Sequence, residues 1–160
     1  MKRLGVNIDH IATVRNARGE KHPDPYHAAL QVVKMGADSV TIHLREDRRH
    51  INEEDVKKLI QTINVPINLE IACADEMINF ACEFKPNSVC IVPEKREERT
   101  TEGGLDVIKY LEKLMPEVNR MQNLGIKVAL FIEPKSSQIE AASSLGVSVI
   151  ELHTGRYSLL

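Results

Sequence analysis

Gly125-Ile126-Lys127-Val128-Ala129-Leu130-Phe131-Ile132 is the stretch on which the fold of this 160-residue chain turns. Its last five residues are apolar without interruption. Such a strand is buried on both faces, the situation of a parallel sheet covered by helices. The glycine ahead of it follows a helix-period stretch, where a left-handed C-cap is needed and glycine costs least. Gly36 and Gly146 stand in the same place before other strands, which implies repeated units. Working outward, β-branched runs predict strands at 4–8, 39–44, 67–71, 88–92, 128–132 and 147–152. Between them, apolar residues three or four apart predict helices at 26–35, 53–63, 75–84, 105–124 and 137–145. Pro116 falls inside the longest helical stretch and removes a hydrogen bond there, so a kink or two shorter helices are expected.

The order is alternating β and α. Four units between His43 and Glu151 take 108 residues, or 27 each. A (β/α)8 barrel takes about 250 residues. This sequence has room for six strands and stops eight residues beyond the sixth. On pattern alone, an incomplete barrel and a doubly wound open sheet both fit. A single domain over 1–160 is expected, with no linker or low-complexity tract.

Composition narrows the function classes. With 42% hydrophobic and 28% charged residues, and 21 basic against 23 acidic side chains, the chain has the make-up of a soluble globular protein. Near-neutral charge and a pI of about 6.3 argue against a nucleic-acid surface. No apolar run approaches a membrane span and the first residues lack a secretory h-region, so a cytoplasmic protein is expected. Cys73, Cys82 and Cys90 contain no C-x-x-C pair and read as reduced core thiols.

In parallel α/β architectures the reactive groups gather at the carboxyl ends of strands. Here those ends read Asn7-Ile8-Asp9-His10, His43-Leu44-Arg45-Glu46-Asp47-Arg48-Arg49-His50, Asn68-Leu69-Glu70 and Glu151-Leu152-His153-Thr154-Gly155. A charged strand end alone is usually solvated; four of them converging suggest a site. Asn68 and Glu70 share one strand face, opposite Ile67, Leu69 and Ile71. If that face lines a barrel, desolvation suits Glu70 to proton transfer; the alternative is an ion pair with an arginine near Arg45. The run 45–49 reads either as a self-paired, solvated loop or as a phosphate site whose guanidinium forks match phosphate oxygens, with Arg15 and Arg18 adding to the cationic rim. Asp9, His10, His43, Glu70, Glu151 and His153 are metal-ligand types, but no H-x-H or H-E-x-x-H spacing occurs and the arginines near His43 would repel a cation. Thr100-Thr101-Glu102-Gly103-Gly104 reads as a helix-entry loop, with anion binding by its N–H groups as the weaker alternative.

Taken together, five segments resemble the pyridoxine 5'-phosphate synthase family. They are residues 5–13 (Gly-Val-Asn-Ile-Asp-His-Ile-Ala-Thr), 43–50, 68–70, Val92-Pro93-Glu94-Lys95-Arg96, and Thr100 through Asp106, and the likeness continues to Gly155. The resemblance implies a (β/α)8 TIM barrel that condenses 1-deoxy-D-xylulose 5-phosphate with 3-amino-2-oxopropyl phosphate. The products are pyridoxine 5'-phosphate, inorganic phosphate and water, in vitamin B6 biosynthesis. It implies no metal or organic cofactor. His43 and Glu70 would be proton acceptors, and Glu151 a stabiliser of charged intermediates. Asn7 and Arg18 would contact the amino-ketone phosphate, while Asp9, His10, Arg45, His50 and Thr100 would hold the xylulose phosphate. The implied partners are small phosphorylated molecules and further copies of the same subunit, with no nucleic acid or membrane. The family pattern continues with two more strands, bearing a proton-donor histidine in N-A-G-H-G and a phosphate-binding Gly-His pair that residues 1–160 do not contain. The expectation is therefore about six units of a barrel, with the C-terminal part missing. The competing classes are a non-catalytic phosphosugar-binding module and a metal-dependent barrel hydrolase.

Overall fold

The computed structural model describes residues 2–94, 103–155 and 157–159. The elements are β1 (Gly5–Asn7), α1 (Asp9–Arg18), α2 (Pro25–Lys34), β2 (Ser39–His43), α3 (Glu53–Thr62), β3 (Ile67–Ala72), α4 (Asp75–Phe84), β4 (Ser88–Val92), α5 (Val107–Asn123), β5 (Lys127–Ile132), α6 (Ser136–Ser144) and β6 (Val149–Leu152), with a short 3-10 turn at Tyr157–Leu159.

The chain forms two compact units, residues 1–70 and 71–160, whose boundary falls inside β3. In the first, β1 pairs with β2 and β2 with β3, all parallel, in a register that sets Asn7 beside Thr41 and His43 beside Glu70. In the second, β4 pairs with β5 and β5 with β6, also parallel, with Phe131 beside Glu151. Consecutive parallel strands joined by helices are the repeat of the (β/α)8 barrel, and the fold is of that TIM-barrel class, present as six β/α units.

Each unit has its own apolar interior. Val40, Ile42 and Leu44 pack with Ile67, Leu69, Val56 and Leu59 in the first; Val89, Ile91, Leu130, Ile132, Met77, Leu114, Val118 and Met121 fill the second, all at 1% exposure or less. Helix starts are chemically marked. Asp24 caps α2 by accepting the Tyr26 N–H at 2.9 Å, ahead of Pro25 in the first turn. Asn52 and Asp55 close a reciprocal capping box on α3.

Three glycines end helices as the sequence predicts: Gly36, Gly125 and Gly146 all have positive φ. At Gly36 the two closing bonds are Gly36 N–H to Val33 O and Ala37 N–H to Val32 O, both 3.0 Å; Gly125 and Ile126 repeat the arrangement on Gln122 and Met121. A Cβ on Gly36 would meet nothing within 4 Å, so its substitution tests the backbone alone. Gly36→Ala is expected to lower stability by about 1 kcal/mol with unchanged helix content, read from urea unfolding.

One of the two outcomes expected at Pro116 is excluded, and one helix lies outside the sequence reading. Pro116 lies inside one continuous helix, Val107–Asn123, rather than separating two. Leu114 before it and Val118 and Met121 after it are fully buried, and this shared apolar face holds the helix across the missing N–H. Helix α1 is absent from the periodicity reading: it buries only Asp9 and Ala12, too little to leave an apolar stripe in the sequence. Among the described residues no disulfide joins the three cysteines, and burial pushes the half-buried Cys73 thiol up. No helix among them is long and apolar enough to cross a membrane.

Candidate active site

In the first unit the site begins where β1 gives way to α1. Asn7 makes that corner: its Oδ1 accepts the Asp9 N–H at 2.9 Å, and its Nδ2 donates to Asp9 Oδ2 at 2.8 Å. The other Asp9 oxygen accepts the backbone N–H of His43 at 2.7 Å. Asp9 is buried, and these donors compensate its lost hydration. It therefore fixes the end of β2 to the start of α1, which positions His43.

Parallel register places Glu70 beside His43, with Glu70 Oε2 3.8 Å from His43 Nδ1. The two side chains are 15% and 8% exposed. Burial of a carboxylate against an imidazole is an arrangement that can share and move a proton. The His50 ring stands 5.7 Å from that of His43, tilted by 55°. His50 Nδ1 accepts the Ile51 N–H at 2.9 Å, so the neutral ring carries its proton on Nε2. Burial holds the His50 pKa below its ordinary 6.5; the Asp9 carboxylate opposes this, and the charges of His43 and Arg45 reinforce it. Since the folded value lies below the unfolded one, the unfolded chain takes up this proton first on acidification. The contribution is complete above about pH 6.5 and lost as pH falls through the folded value. His50→Gln is accordingly expected to flatten the pH dependence of unfolding free energy just below about pH 6.5, measured by urea titration at several pH values.

The arginine run is self-paired, as one of the two sequence readings has it. Arg45 meets Asp47 at 3.3 and 3.4 Å, and Arg49 meets the same carboxylate at 2.7 and 2.9 Å. Burial works to raise the Asp47 pKa, but the hydrogen bonds from Arg49 and Arg45 override it and hold the carboxyl well below its usual range. Arg48 is bound to Glu53. The loop is thus self-paired, yet Arg45 is only 4% exposed rather than solvated. Arg15 does not join a cationic rim. It forks onto Asp55 at 2.6 and 2.9 Å and reaches His50 O at 3.3 Å, so it braces the loop from behind. His10 and Arg18 are exposed positions of α1, beside Thr13 and Glu20 respectively. The structure thus gathers Asn7, Asp9, His43, Arg45, His50 and Glu70, with His10 exposed on α1 yet near enough for its charge to act on His50, and Arg18 at the end of that helix beside Glu20.

Asp9, His43 and His50 offer ligand atoms within 4.8 Å of one another, the spacing of a metal site. Their hydrogen bonding suits a cation poorly. His50 Nδ1 already accepts the Ile51 N–H, which leaves the ring proton on Nε2, and the Arg45 charge acts on the same cluster.

In the second unit, Glu151 is an exposed residue of β6. The sequence reading missed Glu133, directly after β5, whose Oε1 accepts from both Gly104 N at 3.0 Å and His153 Nδ1 at 2.9 Å. The available signal was a carboxylate following a buried apolar strand, the same context as Glu70. Gly104 is required sterically: a Cβ there would lie 2.2 Å from Glu133 N and 2.4 Å from Ile132 C. Its N–H serves Glu133, which removes it from the anion-binding alternative. Thr100 lies outside the described residues, as do Lys95 and Arg96.

Parallel β/α units with ionisable side chains at the carboxyl ends of their strands are the arrangement of (β/α)-barrel enzymes. Residues 4–159 match the family described as pyridoxal phosphate biosynthesis protein PdxJ, and the chain belongs to that family. It is 54% identical over 159 residues to the pyridoxine 5'-phosphate synthase of Gluconobacter oxydans (strain 621H), covering 99% of this chain and 68% of that protein. Against the enzyme of the same name from Blochmanniella pennsylvanica (strain BPEN), identity is 57% over 155 residues, covering 97% and 64%. The chain thus spans about two thirds of the length of these relatives. Among solved structures, an L-ribulose 3-epimerase superposes with a TM-score of 0.57 at 12% identity, over 96% of this chain and 60% of that one. A phosphoribosylanthranilate isomerase from Thermotoga maritima gives 0.57 at 15% identity, over 97% and 67%. At that identity these two show the fold alone.

Proposed function

We propose that this protein acts as a pyridoxine 5'-phosphate synthase, joining 1-deoxy-D-xylulose 5-phosphate to 3-amino-2-oxopropyl phosphate and closing the pyridine ring in vitamin B6 biosynthesis. The observation that carries the reading is the buried His43–Glu70 pair, brought together by register at the ends of β2 and β3. Amine–carbonyl condensation, dehydration and ring closure each move protons, and a buried carboxylate–imidazole pair supplies acceptors for them. The Asp9 oxygens retain lone pairs for a sugar hydroxyl beyond the protein bonds they accept. Arg45 and His50 stand beside it as partners for the anionic sugar. Asn7, and Arg18 on its exposed helix end, take the amino-ketone phosphate; Glu151 stabilises positive charge in the intermediates. His10 and Thr100 complete the sugar contacts in this assignment. The reading carries with it a cytoplasmic enzyme working as an assembly of identical subunits.

The test is to supply the natural full-length enzyme with both substrates and follow pyridoxine 5'-phosphate by chromatography, with a chelator in a parallel reaction. Product formed in both reactions supports the proposal. Sugar-phosphate binding without product would favour a binding module, and hydrolysis of a single substrate that the chelator abolishes would favour a metal-dependent hydrolase. Arg45 gives a sharper check. Lys keeps its charge but loses the planar fork, so Arg45→Lys is expected to weaken xylulose phosphate binding roughly tenfold by calorimetry, and Arg45→Met further. Equal affinities for all three would place the sugar elsewhere.

A further inference from the structure

Glu133 gathers contacts in the second unit that the reaction as assigned above leaves unused. One carboxylate oxygen takes two N–H donors, from Gly104 and from the His153 ring. The Glu133 and His153 side chains are 21% and 16% exposed. The His153 ring stands edge-on to Phe131, with centroids 5.5 Å apart. It also lies against Gly155, where a Cβ would come within 2.7 Å of its Cε1 and Nε2. Two backbone bonds bind the same segments together: Leu105 N–H to Phe131 O at 2.7 Å and His153 N–H to Ile132 O at 2.9 Å. Strand alternation puts Phe131 and Glu133 on one face of the sheet. Phe131 is the register partner of Glu151, so Glu151 and His153 share that face.

We propose that Glu133 and His153 are positioning residues for the synthase reaction, an inference that rests on the function proposed above. Glu133 locks the imidazole and the Gly104 backbone onto one atom, and this fixes the strand end that carries Glu151. Neither residue has to exchange a proton in this role. What is needed at 153 is an N–H at the Nδ1 position, which an asparagine amide also supplies. What is needed at 133 is an acceptor at full glutamate length, which glutamine supplies and aspartate, one methylene shorter, does not.

The test uses the natural full-length enzyme with both substrates, comparing kcat, KM, the pH profile of kcat and thermal melting. His153→Asn and Glu133→Gln should keep kcat within about threefold, with the wild-type pH profile. His153→Phe and Glu133→Asp should lose about tenfold or more in kcat, the scale of a small misplacement at a reacting centre, with smaller changes in KM. Wild-type turnover in Glu133→Asp and His153→Phe would overturn the proposal. So would a loss in His153→Asn accompanied by a missing limb of the pH profile, because the ring would then be transferring a proton. If His153→Phe does not fold, Glu133→Asp against Glu133→Gln decides in the same way. A wild-type enzyme that makes no product would instead overturn the synthase reading, and this inference with it.

Discussion

Exchanging Glu70 for glutamine is expected to lower turnover about 100-fold, with sugar-phosphate affinity changed less than about threefold. Gln has the size and shape of Glu, so β3 keeps its register and Leu44 N–H keeps its bond to the residue 70 carbonyl at 3.0 Å. What is lost is the carboxylate 3.8 Å from His43 Nδ1. If the pair handles protons, the loss appears in kcat and in one limb of its pH profile. Near-normal turnover in the purified variant would remove Glu70 from the mechanism.

The largest effect on stability is expected at Asp55, away from the chemistry. Asp55→Ala should cost about 3 kcal/mol or more in urea unfolding, because the Arg15 guanidinium would stay behind, largely buried and without its carboxylate. Both side chains are 12% exposed. The same carboxylate accepts the Asn52 N–H at 3.1 Å, so the capping box of α3 fails as well. Removing the charge together with its partner, as Arg15→Leu with Asp55→Ala, should recover part of the loss. A double variant as unstable as the sum of the singles would show that the pair is not coupled.

Much of this architecture was legible from residue pattern. The strand at 88–92 and the helix at 75–84 have the boundaries the sequence predicts, since each is marked by a clean change between β-branched and 3.6-period residues. The side assignment on β3 holds too, with Asn68 and Glu70 half-buried and Ile67, Leu69 and Ile71 buried. Helix α1 was illegible because its reason for being helical is a polar corner, the Asn7–Asp9 bonds, rather than an apolar face. Arg15 was misread for a related cause: nothing local shows that its partner sits 40 residues away. Charge type can be read from sequence, but pairing across the fold cannot. The Glu133–Gly104 contact depends in the same way on a non-local approach of backbone to side chain.

The repeated helix ends have a consequence for how this chain tolerates change. At Gly36 and Gly125 the backbone closes on its own helix through the same pair of bonds, and the adjoining loop contributes no residue to the clusters around His43 or Glu133. The proposed functional groups among the described residues lie at the opposite ends of the strands, apart from Arg18 at the end of α1. Chain insertions, a spliced peptide tag or newly cut termini placed beside these glycines therefore bear on folding energy alone, whereas the same edits after β2 or β5 rewrite chemistry. The glycine caps thus separate ends of the scaffold open to engineering and drift from those where a single added residue alters what the enzyme does.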